Sequence, residues 1–213
     1  MTAPTRPKIY HIVHVDNLAS IVSEGCLWSD AAMTGRTGVT VIGMNHIKQR
    51  RRTLAVDPHP GLHVGDCVPF YFCSRSIMLF KINKANDDEL TYKGGQSLVV
   101  HLEADLRAAV EWAEANGQRW AFSLANAATR YTAFRSNLDQ LDEINWVAVA
   151  ANYWSAPDLK EGKQAEFLVE RSFPWHLVER IGIHARAVAP RVAAAVAGGS
   201  HRPRVEVQPG WYY

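Results

Sequence analysis

Three stretches carry the residue types that do chemistry. Lys48–Arg52, KQRRR, is the densest run of positive charge. Guanidinium forks there suit the phosphates of a nucleotide or a nucleic acid; a solvated basic helix face is the plainer alternative. KQAEFLVE sets Glu166 inside an apolar, strand-like run. Strand alternation puts Gln164, Glu166 and Leu168 on one face and Ala165, Phe167 and Val169 on the other. A carboxylate among apolar neighbours needs a partner or a purpose. One that lines a cleft opposite an arginine cluster suits stabilisation of a developing positive charge; an edge or solvent-facing glutamate is the alternative. In KIYHIVHVDN, His11 and His14 lie three positions apart, an odd offset, so a strand points them to opposite faces. They cannot together clamp one metal. With no HExxH and no Cys/His cluster at ligand spacing, no metal site is expected, and a satisfied core histidine is the bland reading of either.

The elements that must position these groups are short and mixed. IYHIVHV reads as a strand, followed by an Asp16-capped helix, DNLASIVSEG, that stops at Gly25. From Thr34 to Gly65, glycines, prolines and charges outweigh any periodicity, and only NHIKQRRR looks helical; a stretch this long without structure points to a functional insertion. CVPFYF, IMLFKI and SLVVHLE read as strands. Phe70 or Tyr71 is core by default, or a stacking surface for a nicotinamide or a base where it faces a cleft. ADLRAAVEWAEANG reads as a helix burying Leu106, Ala109, Val110 and Ala113, with Gly117 as its stop. RWAFSL, KQAEFLVE and LVERIGIH supply further strands, AVAPRVAAAVAGG a terminal helix, and residues 201–213 a peripheral extension. Many short strands without regular β-α alternation favour an α+β fold in a single domain over 1–213. No GxGxxG or GxxxxGK[ST] occurs, which removes the Rossmann fingerprint and the P-loop.

Composition narrows the class. The 213 residues are 47% hydrophobic with a formal charge of +2, so attraction to nucleic acid must come from local clusters rather than net charge. Three cysteines without a CxxC pair fit a reduced, cytoplasmic compartment better than a disulfide framework. No run approaches the roughly 18 apolar residues of a membrane span, and the N-terminus lacks a long apolar segment.

IYHIVHVDNLASIVSEG, IKQRR, VPFYFCSRSIMLF and KQAEFLV, in that order, resemble the DarT-type DNA ADP-ribosyltransferases. The resemblance spans residues 9 to 169. It implies an ADP-ribosyltransferase-like fold, two packed bent β-sheets with helices around an NAD cleft. It also implies that NAD is the co-substrate, that a base of single-stranded DNA, thymidine, is the acceptor, and that a macrodomain antitoxin is the partner of what would be a toxin. By the same resemblance, His11, Ile12 and Val13 hold NAD, with Ser20 and Trp28 in and just after the following helix. Arg51 is the catalytic arginine, with Arg50 and Arg52 as register alternatives, and Glu166 is the catalytic glutamate. His14 is left to a structural role. The family's loop that presents the DNA base corresponds here to FSLANA, with Asn126 where some members carry histidine. That departure bears on the target base. Arg75, Arg119, Arg130 and Tyr131 are candidates for a basic, aromatic DNA groove. An acceptor other than thymidine (guanosine, RNA or protein), or nucleic-acid binding without turnover, stands as the alternative.

Overall fold

The computed structural model describes residues 2–213. Among these residues ten strands form two unequal sheets. The strands are β1 (Lys8–His14), β2 (Cys26–Trp28), β3 (Cys67–Tyr71), β4 (Val99–Asp105), β5 (Trp120–Ser123), β6 (Phe134–Arg135), β7 (Glu166–Glu170), β8 (Ser172–Pro174), β9 (Val178–Ile183) and β10 (Arg204–Val207). Eight of them run in the order β10-β9-β4-β1-β3-β7-β5-β6, and β2 pairs with β8 in a small second sheet. All ladders are antiparallel except β10 with β9. The helices are α1 (Leu18–Glu24), α2 (Asn45–Arg51), α3 (Ile77–Lys84), α4 (Leu106–Ala115), α5 (Trp146–Ala150), α6 (Pro157–Gly162) and α7 (Ala189–Val196). The α+β class with two sheets is as expected.

Alternation along the strands sorts the core. Phe167 and Val169 of β7 join Ile9, Phe70, Leu102 and Phe173 in the main apolar cluster, while Leu168 joins Val56, Leu62 and Phe134 on the other side. The small sheet docks on the large one through Phe173, whose ring lies 4.5 Å from that of Phe70; removing such a buried ring costs about 3–5 kcal/mol. Helix α4 forms as its pattern predicts. Asp105 caps it, with Oδ1 accepting from Arg107 N at 2.9 Å and Ala108 N at 3.2 Å, and the same four apolar residues are buried.

Three local readings change. IMLFKI is helix α3, not a strand. Both edges of β3 are already taken, by β1 and β7, so a hairpin partner has nowhere to pair. Ser76 then caps the helix by accepting from Leu79 N. Asp16 lies inside a short 3-10 turn, and Asn17 holds the N-cap position of α1. Residues 201–213 are also more than a peripheral extension. They supply the edge strand β10, and Tyr212 is buried with its hydroxyl donating to Val99 O and Gly182 O at 2.9 and 3.0 Å.

Candidate active site

A cleft of about 640 Å³ opens where β1, β3 and β7 meet α2 and the long segment before it. His11, Arg51, Tyr71 and Glu166 all line it. Glu166 is the first residue of β7, paired in register with Tyr71 of β3, so both side chains project from the same face. Ser123 fixes the start of that strand. Its Oγ accepts Glu166 N–H at 2.9 Å and donates to Ala125 O at 2.7 Å.

Arg51 is the last residue of α2, and of the three consecutive arginines it alone is buried; Arg50 and Arg52 are exposed. Its Nη1 and Nη2 donate to Glu166 Oε1 and Oε2 at 3.2 and 2.8 Å. The two residues are 7% and 4% exposed, which rules out a solvated face for one and a solvent-facing edge for the other. Burial pulls the guanidinium pKa down, and the Glu166 carboxylate more than offsets this, holding Arg51 above its usual value. Gly65 makes the placement possible. A Cβ there would lie 3.0 Å from Arg52 Cα and 3.2 Å from Arg51 C, so a side chain would press on the backbone at the end of α2.

His11 Nδ1 lies 2.8 Å from Pro69 O, and a carbonyl only accepts, so Nδ1 carries the hydrogen. Burial pushes the imidazole pKa down. The ring is thus held neutral near pH 7, with Nε2 as a bare acceptor. Burial first, and then Glu166, raise the Tyr71 phenol, which stays a neutral donor. His14 is structural: it is buried, its Nδ1 accepts from Asp16 N at 3.3 Å, and it meets the edge of Tyr92.

The structure brings most of the sequence candidates together. Ile12, Val13, Ser20, Trp28 and Asn126 line the same cleft. Trp28 lies under Arg36, 5.4 Å from ring centre to guanidinium carbon, and its indole N–H donates to Glu24. Asn126 donates to Gln164 at 3.2 Å, in the turn just before β7 rather than on the strand face that alternation predicts. Four others lie off the cleft. Arg75 donates to Asn152 at 3.2 Å and stacks 4.4 Å over Tyr213. Arg119 grips Glu170 through Nε and Nη2 at 2.8 and 2.6 Å. Arg130 lines a separate notch with Thr53 and Thr129, and Tyr131 projects into solvent at 98% exposure. Sequence reasoning missed Ser123, Gly65 and Tyr71 as site-builders. Only Tyr71 carried a signal, as an aromatic that would act if it faced a cleft. Among the described residues no group of three His, Cys, Asp or Glu is arranged to hold a metal ion, and all three cysteines are free thiols.

Comparison with known proteins converges on one family. The model described as "ssDNA thymidine ADP-ribosyltransferase, DarT" matches residues 10–213. A DNA ADP-ribosyl transferase of Thermus sp. (strain 2.9) is 35% identical, covering 100% of this chain and 99% of the relative. One from Mycobacterium tuberculosis (strain ATCC 25618 / H37Rv) is 30% identical, covering 96% of this chain and 88% of the relative. The solved Thermus sp. 2.9 DarT in complex with ADP-ribosylated ssDNA superposes with a TM-score of 0.89 at 34% identity, covering 100% of this chain and 99% of that one. The same protein in complex with NAD+ gives 0.84 at 32%, covering 100% of both chains. With the match extending over nearly the whole chain, this protein belongs to the DarT family of single-stranded-DNA thymidine ADP-ribosyltransferases.

Proposed function

We propose that the cleft binds NAD and transfers its ADP-ribose to thymidine in single-stranded DNA, with Glu166 and Arg51 as the catalytic residues. One observation carries the assignment: a buried, two-pronged arginine–carboxylate pair at the floor of a cleft that His11 and Trp28 also line. The Thermus relatives solved with NAD+ and with ADP-ribosylated ssDNA support both substrates.

The chemistry follows from the charges. When the bond between the ribose anomeric carbon and nicotinamide breaks, nicotinamide leaves neutral and the ribose becomes oxocarbenium-like. The Glu166 carboxylate stabilises that positive charge and orients a ribose hydroxyl. Thymine's only ring N–H, once its other nitrogen is bonded to deoxyribose, is the imide. Its nitrogen bonds to the anomeric carbon and its proton leaves to solvent. A guanidinium with a pKa above about 12 is a poor base, so Arg51 acts by stabilising the developing imide anion. His11, Ile12, Val13, Ser20, Trp28 and Arg51 form the NAD wall, His11 offering Nε2 to a ligand hydroxyl or amide. Asn126 is the base-reading candidate in the cleft, and Arg130 and Tyr131 continue its loop outward. Arg119 contacts DNA only by giving up bonds to Glu170 and Pro60, and Arg75 is held against Tyr213 and Asn152. No metal has a part in these steps.

The toxin role, with a macrodomain antitoxin that removes the modification, is part of the same reading, as is a cytoplasmic location in keeping with the free thiols. No helix among the described residues is long and apolar enough to cross a membrane. Labelled NAD with separate single-stranded DNA, RNA and protein acceptors tests the assignment. Label on thymidine-containing oligonucleotides alone is expected, and mass spectrometry of a random oligonucleotide identifies the base. Label confined to guanosine, RNA or protein overturns the acceptor.

A further inference from the structure

Asparagine at a helix N-cap ordinarily turns its side chain back to accept N–H bonds from the first turn. Asn17 occupies that position before α1 and makes no such bond. Its carboxamide is turned away, to residue 40. Oδ1 accepts Thr40 N–H at 2.9 Å, and Nδ2 donates to Thr40 O at 2.8 Å. The residue is 9% exposed, so the pairing is shielded from water.

What it holds is a wall of the cleft. Residues 37–43 all line the cleft without helix or strand. Among the described residues, the two bonds to Asn17 are the only hydrogen bonds made by the backbone of 37–43. On one side the segment is tied by Arg36, whose guanidinium reaches Glu24 at 2.6 Å. On the other, Ile42 and Met44 are buried against Leu79 and Ile82. Between these ties, the amide of Asn17 stands in for a neighbouring strand. Only a carboxamide offers a donor and an acceptor in the spacing a peptide unit requires; a carboxylate accepts at both oxygens and would repel Thr40 O.

We propose that Asn17 is a positioning residue for the substrate cleft, fixing residues 37–43 as the wall against which the dinucleotide lies. This rests on the cleft being the NAD site. Asn17 touches no reacting atom, so its effect belongs on substrate affinity rather than on the chemical step.

Two measurements on the full chain test it, residue-resolved amide exchange and steady-state NAD consumption, for wild type, Asn17→Ala and Asn17→Asp. In the wild type, Thr40 N–H exchanges more slowly than the amides of residues 38, 39 and 41. In both variants it accelerates by about tenfold or more, and KM for NAD rises about tenfold while kcat stays within about threefold. Thr40 exchange that is unprotected in the wild type, or unchanged in the variants, overturns the clamp. Accelerated exchange with KM unaltered overturns its role in substrate positioning. If Asn17→Ala does not fold, the isosteric Asn17→Asp and the wild-type profile decide. A wild type that consumes no NAD sinks the NAD reading instead, and the exchange profile still reports on the clamp.

Discussion

Strand β7 carries two arginine–glutamate pairs of the same design, four residues apart on one face. At its start Glu166 receives both prongs of Arg51, and at its end Glu170 receives both prongs of Arg119. Both pairs are two-pronged, Arg51 end-on through Nη1 and Nη2 and Arg119 side-on through Nε and Nη2, and their surroundings differ. The Arg51 and Glu166 side chains are 9% and 5% exposed, those of Arg119 and Glu170 38% and 27%. The first pair floors a cleft with room for a ligand, whereas the second ties the start of β5 to β7 at the surface, with Arg119 also donating to Pro60 O. A two-pronged pair is therefore no mark of an active site by itself. Burial beside open cleft volume is what makes one available for catalysis.

The sharpest break of this comparison is at the proposed catalytic end. Glu166→Gln is expected to lower transfer on the order of 10³-fold, and Arg51→Ala to abolish it. Arg51→Ala also leaves a buried carboxylate unpaired, at a cost of about 3–5 kcal/mol. Denaturant unfolding should show that loss. If Arg50→Ala is dead and Arg51→Ala active, the pairing has been misread.

Acid separates the surface pair from the rest of the fold. His101 is fully buried, its Nε2 donating to Ser74 O at 2.8 Å, and burial lowers its pKa to about 4. The unfolded chain therefore takes up this proton first, near its ordinary value of about 6.5, and stability falls from there down to about pH 4, by about 3 kcal/mol in all. Glu170 acts in the same direction but in a lower pH window. Arg119 lowers its pKa, so its stabilisation is present above about 4.3 and is lost only as pH falls through the lowered folded value. Thermal scans between pH 7 and pH 4.5 should show a decline that persists in Arg119→Ala; a decline abolished by that variant would assign it to the ion pair.

A smaller effect sharpens the role of placement. Gly65→Ala pushes a methyl against the backbone of Arg51 and Arg52 and should cost about 1–3 kcal/mol, with transfer falling more than stability alone explains. The smallest change is at the surface pair. Arg119→Ala should cost about 1 kcal/mol or less and leave NAD turnover within a few-fold of wild type. A large loss of DNA modification with NAD cleavage intact would instead return Arg119 to the DNA groove.

Much of the site was legible before the fold. Alternation around Glu166 put it opposite Phe167 and Val169, and the sheet bears this out. The odd spacing of His11 and His14 separated a cleft residue from a packed one. Family resemblance selected Arg51 from three adjacent arginines, and the structure has that residue alone buried. The DNA-facing candidates were legible only as residue types. Arg75 and Arg119 are basic in the sequence, but their charges are engaged within the protein.

By itself, then, the sequence determined periodicity: which residues share a face, where α4 begins and ends, and where a long unpatterned segment interrupts the elements. Tertiary structure alone decided who lies across from whom. Arg51 meets Glu166 over 115 residues of chain, and Asn17 leaves its helix cap to hold Thr40. IMLFKI becomes a helix because distant strands already occupy both edges of β3. The physical reason is that local propensity differs by tenths of a kcal/mol between such states. Burial and pairing with remote groups are worth several times that, so the long-range partners cast the deciding weight.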